Sequence, residues 1–447
     1  MASPKEDAAR AIAARLREAG HTAYLAGGCV RDRLLGREPK DFDVATSAPA
    51  ALVQQIFPRT VPVGAQFGVV LVLQDEQPVE VATFRADAAY VDGRHPVSVR
   101  FSSPEEDAQR RDFTINGMFI DPSTDRVIDY VAGQADLHAG IIRAIGNPDS
   151  RIKEDRLRML RAVRFAAQLS FTIEPATFEA IRKAAPSITD MAWERIGDEI
   201  VRMLVDSRGG SARRAFELLD QSGLLDPVLP EIAAMHGVEQ SADFHPEGDV
   251  FVHTLGLLEQ LEGPTETLAL GALLHDVAKP TTAAVGEKRI TFYGHCEIGA
   301  EMAVAVCQRL RRSHETWERV AFLVRDHLRH VSARDMRLST LKRFLASDGI
   351  VELLALARLD AMASNKDMTA VDFCEQKLAE LSAEQIKPPP LLRGRDLIEL
   401  GFEPGPLFAE ILQAVGDAQL EGTLTDREQA TEWVKQHYEV GSEKSEG

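Results

Sequence analysis

At roughly 100–200 residues per domain, a chain of 447 residues has room for about two to four domains. A hydrophobic fraction of 45% and a charged fraction of 27% are globular values, and they exclude a disordered chain, a collagen-like repeat and a disulfide-built miniprotein. Against 51 Lys and Arg stand 69 Asp and Glu, so the net charge of −18 excludes a uniformly basic nucleic-acid coat protein, though not an enzyme with local basic patches.

Residues 5–20 place alanines, Ile12 and Leu16 among charges at helical spacing. Ala23–Leu25 is a short apolar run entering Gly27-Gly28, the sign of a strand meeting a tight turn, and Val30–Leu35 starts a helix. Phe42–Ala45, Val69–Leu73 and Val79–Phe84 read as strands. Residues 1 to about 130 therefore alternate helix and strand in a compact α/β unit. From about residue 150 the pattern changes to amphipathic helices with short loops: Glu154–Leu169, Pro175–Ala185, Glu194–Val205 and Ala212–Ser222. The remainder stays helix-rich, broken at Pro388-Pro389-Pro390, and the end after about residue 436 is polar. No internal repeat is visible. Cys29, Cys296, Cys307 and Cys374 form no C-x-x-C pair and read as free thiols of a reducing compartment. With no apolar run of about 18 residues and no signal-peptide core, the expectation is a cytoplasmic protein without a membrane partner.

Three constellations carry chemistry. In the first, Gly27-Gly28-x-Val30-Arg31-Asp32 follows a strand, and Asp41-x-Asp43 stands at the edge of the next. On a strand, residues i and i+2 share a face, so Asp41 and Asp43 can bind hard cations such as Mg²⁺. Glycines let backbone approach a triphosphate, and Arg31 can pair with phosphate oxygens. Metal plus phosphate cradle is the apparatus of phosphoryl or nucleotidyl transfer. Glu80, on the strand Val79–Phe84, is either a third carboxylate near the metals or an exposed strand residue.

In the second, Arg151 to Phe165 is a strong helix former with Asp155, Arg158 and Arg161 at i, i+3 and i+6, while Leu157, Leu160 and Val163 supply its buried side. In the third, His253, His275-Asp276 and Asp326 give an H…HD…D pattern of imidazole and carboxylate ligands suited to a divalent metal. His295 can complete a second metal site, and His327 and His330 beside Asp326 blur the ligand assignment. Residues 309–343 hold ten Lys and Arg against four Asp and Glu, either an RNA-backbone surface or a solvated helix face.

Leu25-Ala-Gly-Gly-Cys-Val-Arg-Asp32 with Lys40-Asp-Phe-Asp-Val-Ala-Thr46 resembles the head domain of the class II tRNA nucleotidyltransferases. These CCA-adding enzymes share the DNA polymerase beta-like fold with bacterial poly(A) polymerases. The resemblance continues through Arg110-Arg-Asp-Phe-Thr-Ile-Asn116, the family's ribose-reading motif, and implies Arg111, Asp112 and Asn116 near the ribose and phosphates. Glu154-Asp155-x-x-Arg158 resembles the motif that selects the nucleotide. The chemistry agrees: a carboxylate accepts from the exocyclic amine of C or A while a guanidinium donates to ring acceptors. By the same resemblance Gly28 and Arg31 contact the nucleotide, Arg161 and Arg164 line the triphosphate side, and Glu194-Arg-Ile-Gly-Asp-Glu199 is a structural helical motif. The segment Asp129 to Arg143 resembles the head-to-neck hinge, and Gly394 to Pro406 a stretch near the C-terminus. Gly117 departs from the family, where Ala is usual, and little consequence is expected. Val61-Pro-Val-Gly-Ala-Gln-Phe-Gly68 is more similar to the tRNA enzymes than to poly(A) polymerases. The loop Arg85 to Pro96 is either a bland surface loop or the family's switch from C to A addition, whose presence favours addition of the terminal A.

The expected architecture is α+β, a DNA polymerase beta-like head with a mixed sheet followed by an all-helical body. Its divisions are a catalytic head 1–145, a helical neck 146–235 binding base and tRNA, an HD-type domain 236–385 and a helical tail 386–447. The expected activity is Mg²⁺-dependent addition of C and A to the 3′ end of tRNA from CTP and ATP without a nucleic-acid template. The alternatives are A addition only, poly(A) synthesis, or HD phosphohydrolysis as the main activity. The HD residues stand for an active phosphohydrolase with a second divalent metal, a metal site without activity, or a retained helical scaffold.

Overall fold

The computed structural model describes residues 3–64, 68–87, 99–240, 248–286, 290–364 and 367–439. Contacts divide the chain into two compact units. One is Met1–Ala234 with Leu261–Pro264 and Arg309–Arg312; the other is Met235–Gln260, Thr265–Gln308 and Ser313–Gly447.

The first unit opens with helix α1 (Pro4–Glu18), started by the Ser3 hydroxyl accepting from the Glu6 amide and by Pro4 in the first turn. Its buried stripe of Ala8, Ala9, Ile12, Ala13 and Leu16 lies on the sheet, where the alanines allow close approach. The strands are β1 (Ala23–Ala26), β2 (Asp43–Thr46), β3 (Thr60–Gly64), β4 (Val69–Gln74), β5 (Gln77–Thr83), a side hairpin of β6 (Arg85–Asp87) and β7 (Val99–Phe101), then β8 (Met118–Ile120) and β9 (Val127–Asp129). The mixed sheet runs β3-β4-β5-β2-β1-β8-β9, with β2 and β5 parallel and its other pairs antiparallel. Phe84 and Phe119 meet edge-on at 6.0 Å in a core shared with Ala26, Ala45 and Ala108. The expected strands are all present; β3, β8 and β9 were not expected, being too short or too interrupted to show alternation.

Helices α2 (Gly28–Leu34), α3 (Ala50–Ile56), α4 (Pro104–Gln109) and α5 (Gly133–Ala139) decorate this sheet. The hinge-like segment is tied locally. Asp129 accepts from the amides of Val131, Gly133 and Gln134, and Asp136 accepts from the Thr114 hydroxyl and Arg143. A methyl at Gly117 would come within 2.7 Å of Val131 Cγ2 and 3.1 Å of Ile145 Cδ1, so those side chains fill the space an alanine would take.

The helical part of this unit holds α6 (Pro148–Glu154), α7 (Leu157–Leu169), α8 (Pro175–Ala184), α9 (Trp193–Val205), α10 (Ser211–Gln221), α11 (Leu225–Val228) and α12 (Pro230–Ala233). The helix expected to run unbroken from Glu154 is interrupted at Asp155-Arg156. Asp155 takes extended backbone, and its Oδ1 accepts from the Leu157 amide, which gives the chain an alternative to a continuous helical ladder. α7 is buried nearly all round and packs on α9 and α10.

The second unit is almost wholly helical: α13 (Val250–Glu259), α14 (Glu266–Leu274), α15 (Lys279–Thr282), α16 (His295–Arg309), α17 (His314–Asp326), α18 (Leu338–Leu345), α19 (Ile350–Ala363), α20 (Thr369–Glu380) and α21 (Ala383–Ile386). Helices α13, α14, α17 and α19 pack together. After the prolines 388–390, α22 (Gly394–Glu399), α23 (Pro406–Glu421) and α24 (Arg427–His437) enclose their own cluster of Leu392, Leu397, Phe402, Ile411, Val415, Leu424 and Val434. Among the described residues no helix is long and apolar enough to cross a membrane. Residues 65–67, 88–96 of the candidate specificity loop, and 440–447 lie outside the described residues.

Candidate active site and candidate metal centre

The first site lies wholly in the first unit. β1 delivers the chain to Gly27, whose φ of +75° favours glycine. A Cβ there would stand 3.4 Å from an Arg111 nitrogen and 3.7 Å from Asp43 Oδ2, so the turn is glycine because two functional side chains crowd it. The register pairs Asp43 with Ala26 on one side and with Glu80 on the other, putting two carboxylates on adjacent parallel strands. Burial first, and then the neighbouring Glu80, push the Asp43 carboxyl up to about 6. Glu80 therefore stands beside Asp43 while remaining an exposed strand residue, so both of its readings hold. Asp41 precedes the strand, is exposed and pairs with Lys5 at 2.8 Å, and its charge adds to the rise at Asp43. Of the two, only Asp43 lies within the strand.

A cleft of about 520 Å³ gathers Gly27, Gly28, Arg31, Asp43, Arg111, Asp112, Asn116, Asp155, Arg158, Arg161 and Arg164. Ten of the eleven head and neck candidates, all but Asp41, thus line one cavity. Three guanidinium groups crowd around one aromatic ring there. Those of Arg31, Arg161 and Arg164 stand 5.1, 5.3 and 4.3 Å from the Phe165 centroid. The ring's negative face offsets part of their mutual repulsion.

Carboxylates fix the same cations. Arg161 reaches Asp112 Oδ2 through two nitrogens at 2.9 and 2.6 Å, while Asp112 Oδ1 accepts from the Phe113 amide and Asn116 Nδ2. Burial opposes ionisation of Asp112, yet Arg161 and these hydrogen bonds hold its carboxyl down at about 2. Asn116 Oδ1 accepts from Arg31 at 2.9 Å, and Arg164 binds the buried Glu199 at 2.7 Å. The turn motif, the ribose motif and α7 are thereby one hydrogen-bonded network. Arg111 is held by Asp107, and Asp155 Oδ2 accepts from Arg195 at 3.0 Å. Arg158 donates to Glu154, to the Arg151 carbonyl and to the Arg110 carbonyl.

The candidate residues did not include Arg85, Arg202 or the motif residue Arg110, which also line the cleft, nor Asp107 and Arg195, which hold Arg111 and Asp155. Only Asp107 had a signal, three and four residues before Arg110 and Arg111 on a capped helix. Glu199, expected as structural, ties α9 to the cleft.

The second unit holds the histidine cluster. His253 Nε2 lies 3.2 Å from His275 Nε2 and 3.1 Å from Asp360 Oδ1, and these three side chains can hold one metal ion. Asp276 is buried between them and a second group, His295, Cys296 and His327. His275, Lys279 and His253 hold its carboxyl well below the usual range against the cost of burial. Asp326 is not in the cluster. Its carboxylate meets Arg325 and Arg329 instead, and Asp360 on α19 stands where the sequence pattern placed Asp326. The physical reason is packing: α19 lies against α13 and α14, which carry or adjoin His253 and His275. Burial pushes His327 down to about 4, so its imidazole is neutral near pH 7. His330 lies outside both triads. In the basic segment, Arg319 pairs with Asp348 and Arg343 with Asp417, the ion-paired face rather than an open cationic surface at those positions.

Residues 23–143 match the family of poly A polymerase head domains. Residues 170–235 match the probable RNA and SrmB-binding site of polymerase A, and residues 249–364 the HD domain. The chain is 32% identical to a CCA-adding enzyme of Bacillus velezensis over 94% of this chain and 95% of that one. It is 33% identical to an A-adding tRNA nucleotidyltransferase of Deinococcus radiodurans over 92% and 95%. Among solved structures, that of the Bacillus stearothermophilus CCA-adding enzyme in complex with CTP superposes with a TM-score of 0.63 and 26% identity, covering 97% of this chain and 98% of that one. The chain belongs to the tRNA nucleotidyltransferase and poly(A) polymerase family, with an HD domain in its helical body. Nucleotidyltransferase and HD families use divalent metals, and both acidic clusters fit such ions: Asp43 and Glu80 face each other, and the histidine cluster presents imidazole and carboxylate donors.

Proposed function

We propose that this protein adds C and A to the 3′ end of tRNA from CTP and ATP, choosing each base with protein side chains. The observation that carries the reading is the single cleft joining Asp43, whose register partner on the next strand is Glu80, to Asp155, Arg158 and the arginines around Phe165. The ribose 3′-OH of the tRNA attacks the α-phosphate, and pyrophosphate leaves. Asp41, Asp43 and Glu80 would hold magnesium, which when bound acidifies the attacking hydroxyl and stabilises the leaving pyrophosphate. Gly28, Arg31 and Arg111 receive the phosphates, with Arg161 and Arg164 on the triphosphate side. Asn116 stands toward the ribose, with Asp112 fixing Asn116 and Arg161. Asp155 accepts from the exocyclic amine of C or A, and Arg158 donates to the ring acceptors, a pattern that U and G do not match.

The division into head 1–145, neck 146–235, HD domain 236–385 and tail 386–447 belongs to the same proposal. The four unbridged cysteines support a cytoplasmic setting. Similarity to both a CCA-adding and an A-adding relative, at 32% and 33%, keeps full and A-only addition as the two forms of the activity.

The test uses three tRNA transcripts, ending before CCA, after C and after CC, each with Mg²⁺ and CTP, ATP or both. Completion of all three establishes full CCA addition. Extension of only the CC-ended transcript establishes A addition. Long A tails establish poly(A) synthesis. No extension overturns the reading and leaves the HD cluster, whose histidines favour phosphohydrolysis, as the main activity.

A further inference from the structure

Most arginines of the nucleotide cleft are held by acids of this chain. Arg31 pairs with Asp32, Arg111 with Asp107, Arg158 with Glu154, Arg161 with Asp112 and Arg164 with Glu199, at 2.6 to 3.0 Å. Arg202 departs from this pattern. It lines the same cleft from α9 and is exposed. Its guanidinium makes no hydrogen bond or ion pair among the described residues.

The acids within its reach on α9 are all diverted. Carboxylates three and four positions away are the natural partners of an arginine along a helix. For Arg202 these are Asp198, Glu199 and Asp206. Asp198 binds Arg312 at 2.8 Å, Glu199 binds Arg164 at 2.7 Å, and Asp206 binds Lys40 at 2.7 Å. The helix therefore leaves one full positive charge open to the cleft.

The place of Arg202 says which part of a ligand it meets. Along α7, Arg158, Arg161 and Arg164 follow at steps of three residues, about 4.5 Å of rise each. Arg158 stands at the end assigned to the base, and Arg164 at the other. Arg202 comes in beside Arg164. Burial pushes the Arg164 guanidinium below its ordinary range, and the charges of Arg161 and Arg202 push the same way. Gln168, one turn further along α7, donates through Nε2 to the Arg202 carbonyl at 3.3 Å, which ties that turn of α9 to the end of α7. Of the three neighbouring cations Arg161, Arg164 and Arg202, the protein neutralises only the first two, and a polyanion completes the set.

We propose that Arg202 binds the terminal phosphate of the incoming nucleoside triphosphate, and the same phosphate in the departing pyrophosphate. The identity of the ligand rests on the nucleotidyl transfer reading. A guanidinium presents paired N–H donors that match two phosphate oxygens, and the terminal phosphate is common to CTP and ATP. Arg202 thus separates triphosphates from diphosphates, while Asp155 and Arg158 separate the bases.

The experiment measures Kd for CTP and for CDP on the full chain in Mg²⁺ without tRNA, by isothermal titration, alongside incorporation into tRNA. The wild type binds CTP more tightly than CDP. Arg202→Ala cuts that ratio about tenfold by weakening CTP and hardly changing CDP. KM rises alike for CTP and ATP, the choice against UTP and GTP is kept, and pyrophosphate inhibits more weakly by the same factor. Arg202→Lys keeps the charge, loses the fork and recovers part of the ratio. Circular dichroism stays unchanged. A ratio untouched by Arg202→Ala overturns the proposal, as does a rise in KM confined to tRNA, which would assign Arg202 to the RNA backbone. A wild type that shows the Arg202-dependent ratio yet extends no tRNA sinks the transfer reading and keeps the phosphate site; one that binds neither nucleotide overturns both.

Discussion

The nucleotide cleft and the HD histidine cluster are both built on buried carboxylates, yet they solve opposite problems. In the cleft, acids and arginines alternate, and nearly every charge already has a partner: Asp112 with Arg161, Glu199 with Arg164, Asp107 with Arg111. Asp43 lies acid against acid, beside Glu80 and within reach of the charge of Asp41. Such a site is held in shape before its ligand arrives, and it offers an anionic, exchangeable ligand a cationic wall around a small acidic spot. In the HD cluster imidazoles gather around the buried Asp276, and protein cations supply only part of the balance, chiefly Lys279 at 2.7 Å from Asp276. That suits a resident ion. Internal ion pairing marks a site for a passing substrate, and unpaired donors mark one for a metal.

The largest effect that would break this comparison is at Asp43. Asp43→Ala should lower nucleotide incorporation at least about a thousandfold while leaving the helical circular dichroism intact. Unchanged incorporation would remove the acid pair from the chemistry. Next comes base choice. Arg158→Ala should cut discrimination against UTP and GTP by about 10- to 100-fold, read from the identity of the added nucleotide. Selectivity that survives would assign Arg158 to holding Glu154 and the backbone instead.

A third test uses pH without metal. The Asp43 carboxyl is raised to about 6 by burial and Glu80, so its protonated form stabilises the fold at low pH. That contribution is full below the ordinary value of 3.8 and is lost as pH rises through about 6. Asp43→Asn should therefore stabilise the chelator-treated protein by about 2 kcal/mol at pH 8 and hardly at all at pH 3.5, measured by denaturant unfolding of the head. A gain that is the same at both pH values would show that charge is not the cause. The smallest effect sharpens the HD side. Asp326→Asn removes only ion pairs with Arg325 and Arg329 and should change stability by at most about 1 kcal/mol, with cobalt(II) binding to the histidine cluster unaltered. Asp360→Asn should weaken that binding.

Much of the cleft was legible because its parts are local. Gly27-Gly28, Arg111 to Asn116 and Asp155 to Arg164 are short segments whose order and residue types state their chemistry. What was not legible depended on partners far along the chain. Arg202 enters the cleft from α9, and Arg195 reaches Asp155 across 40 positions. The error at Asp326 is the same limitation from the other side. Its neighbours His327 and His330 made it locally attractive, while Asp360 had no local signature at all.

The amino-acid sequence by itself determined the mixed α/β head, the helical body, and the side chains that line the cleft, since period, turn residues and motif spacing act over a few residues. Tertiary structure decided the rest. The parallel register of β2 and β5 brings Glu80 to Asp43, the break at Asp155 frees that residue from the helix, and the packing of α19 against α13 and α14 brings Asp360 to His253. The first and the last are contacts between segments distant in the chain, set by how apolar faces pack, and no local pattern of residues encodes them.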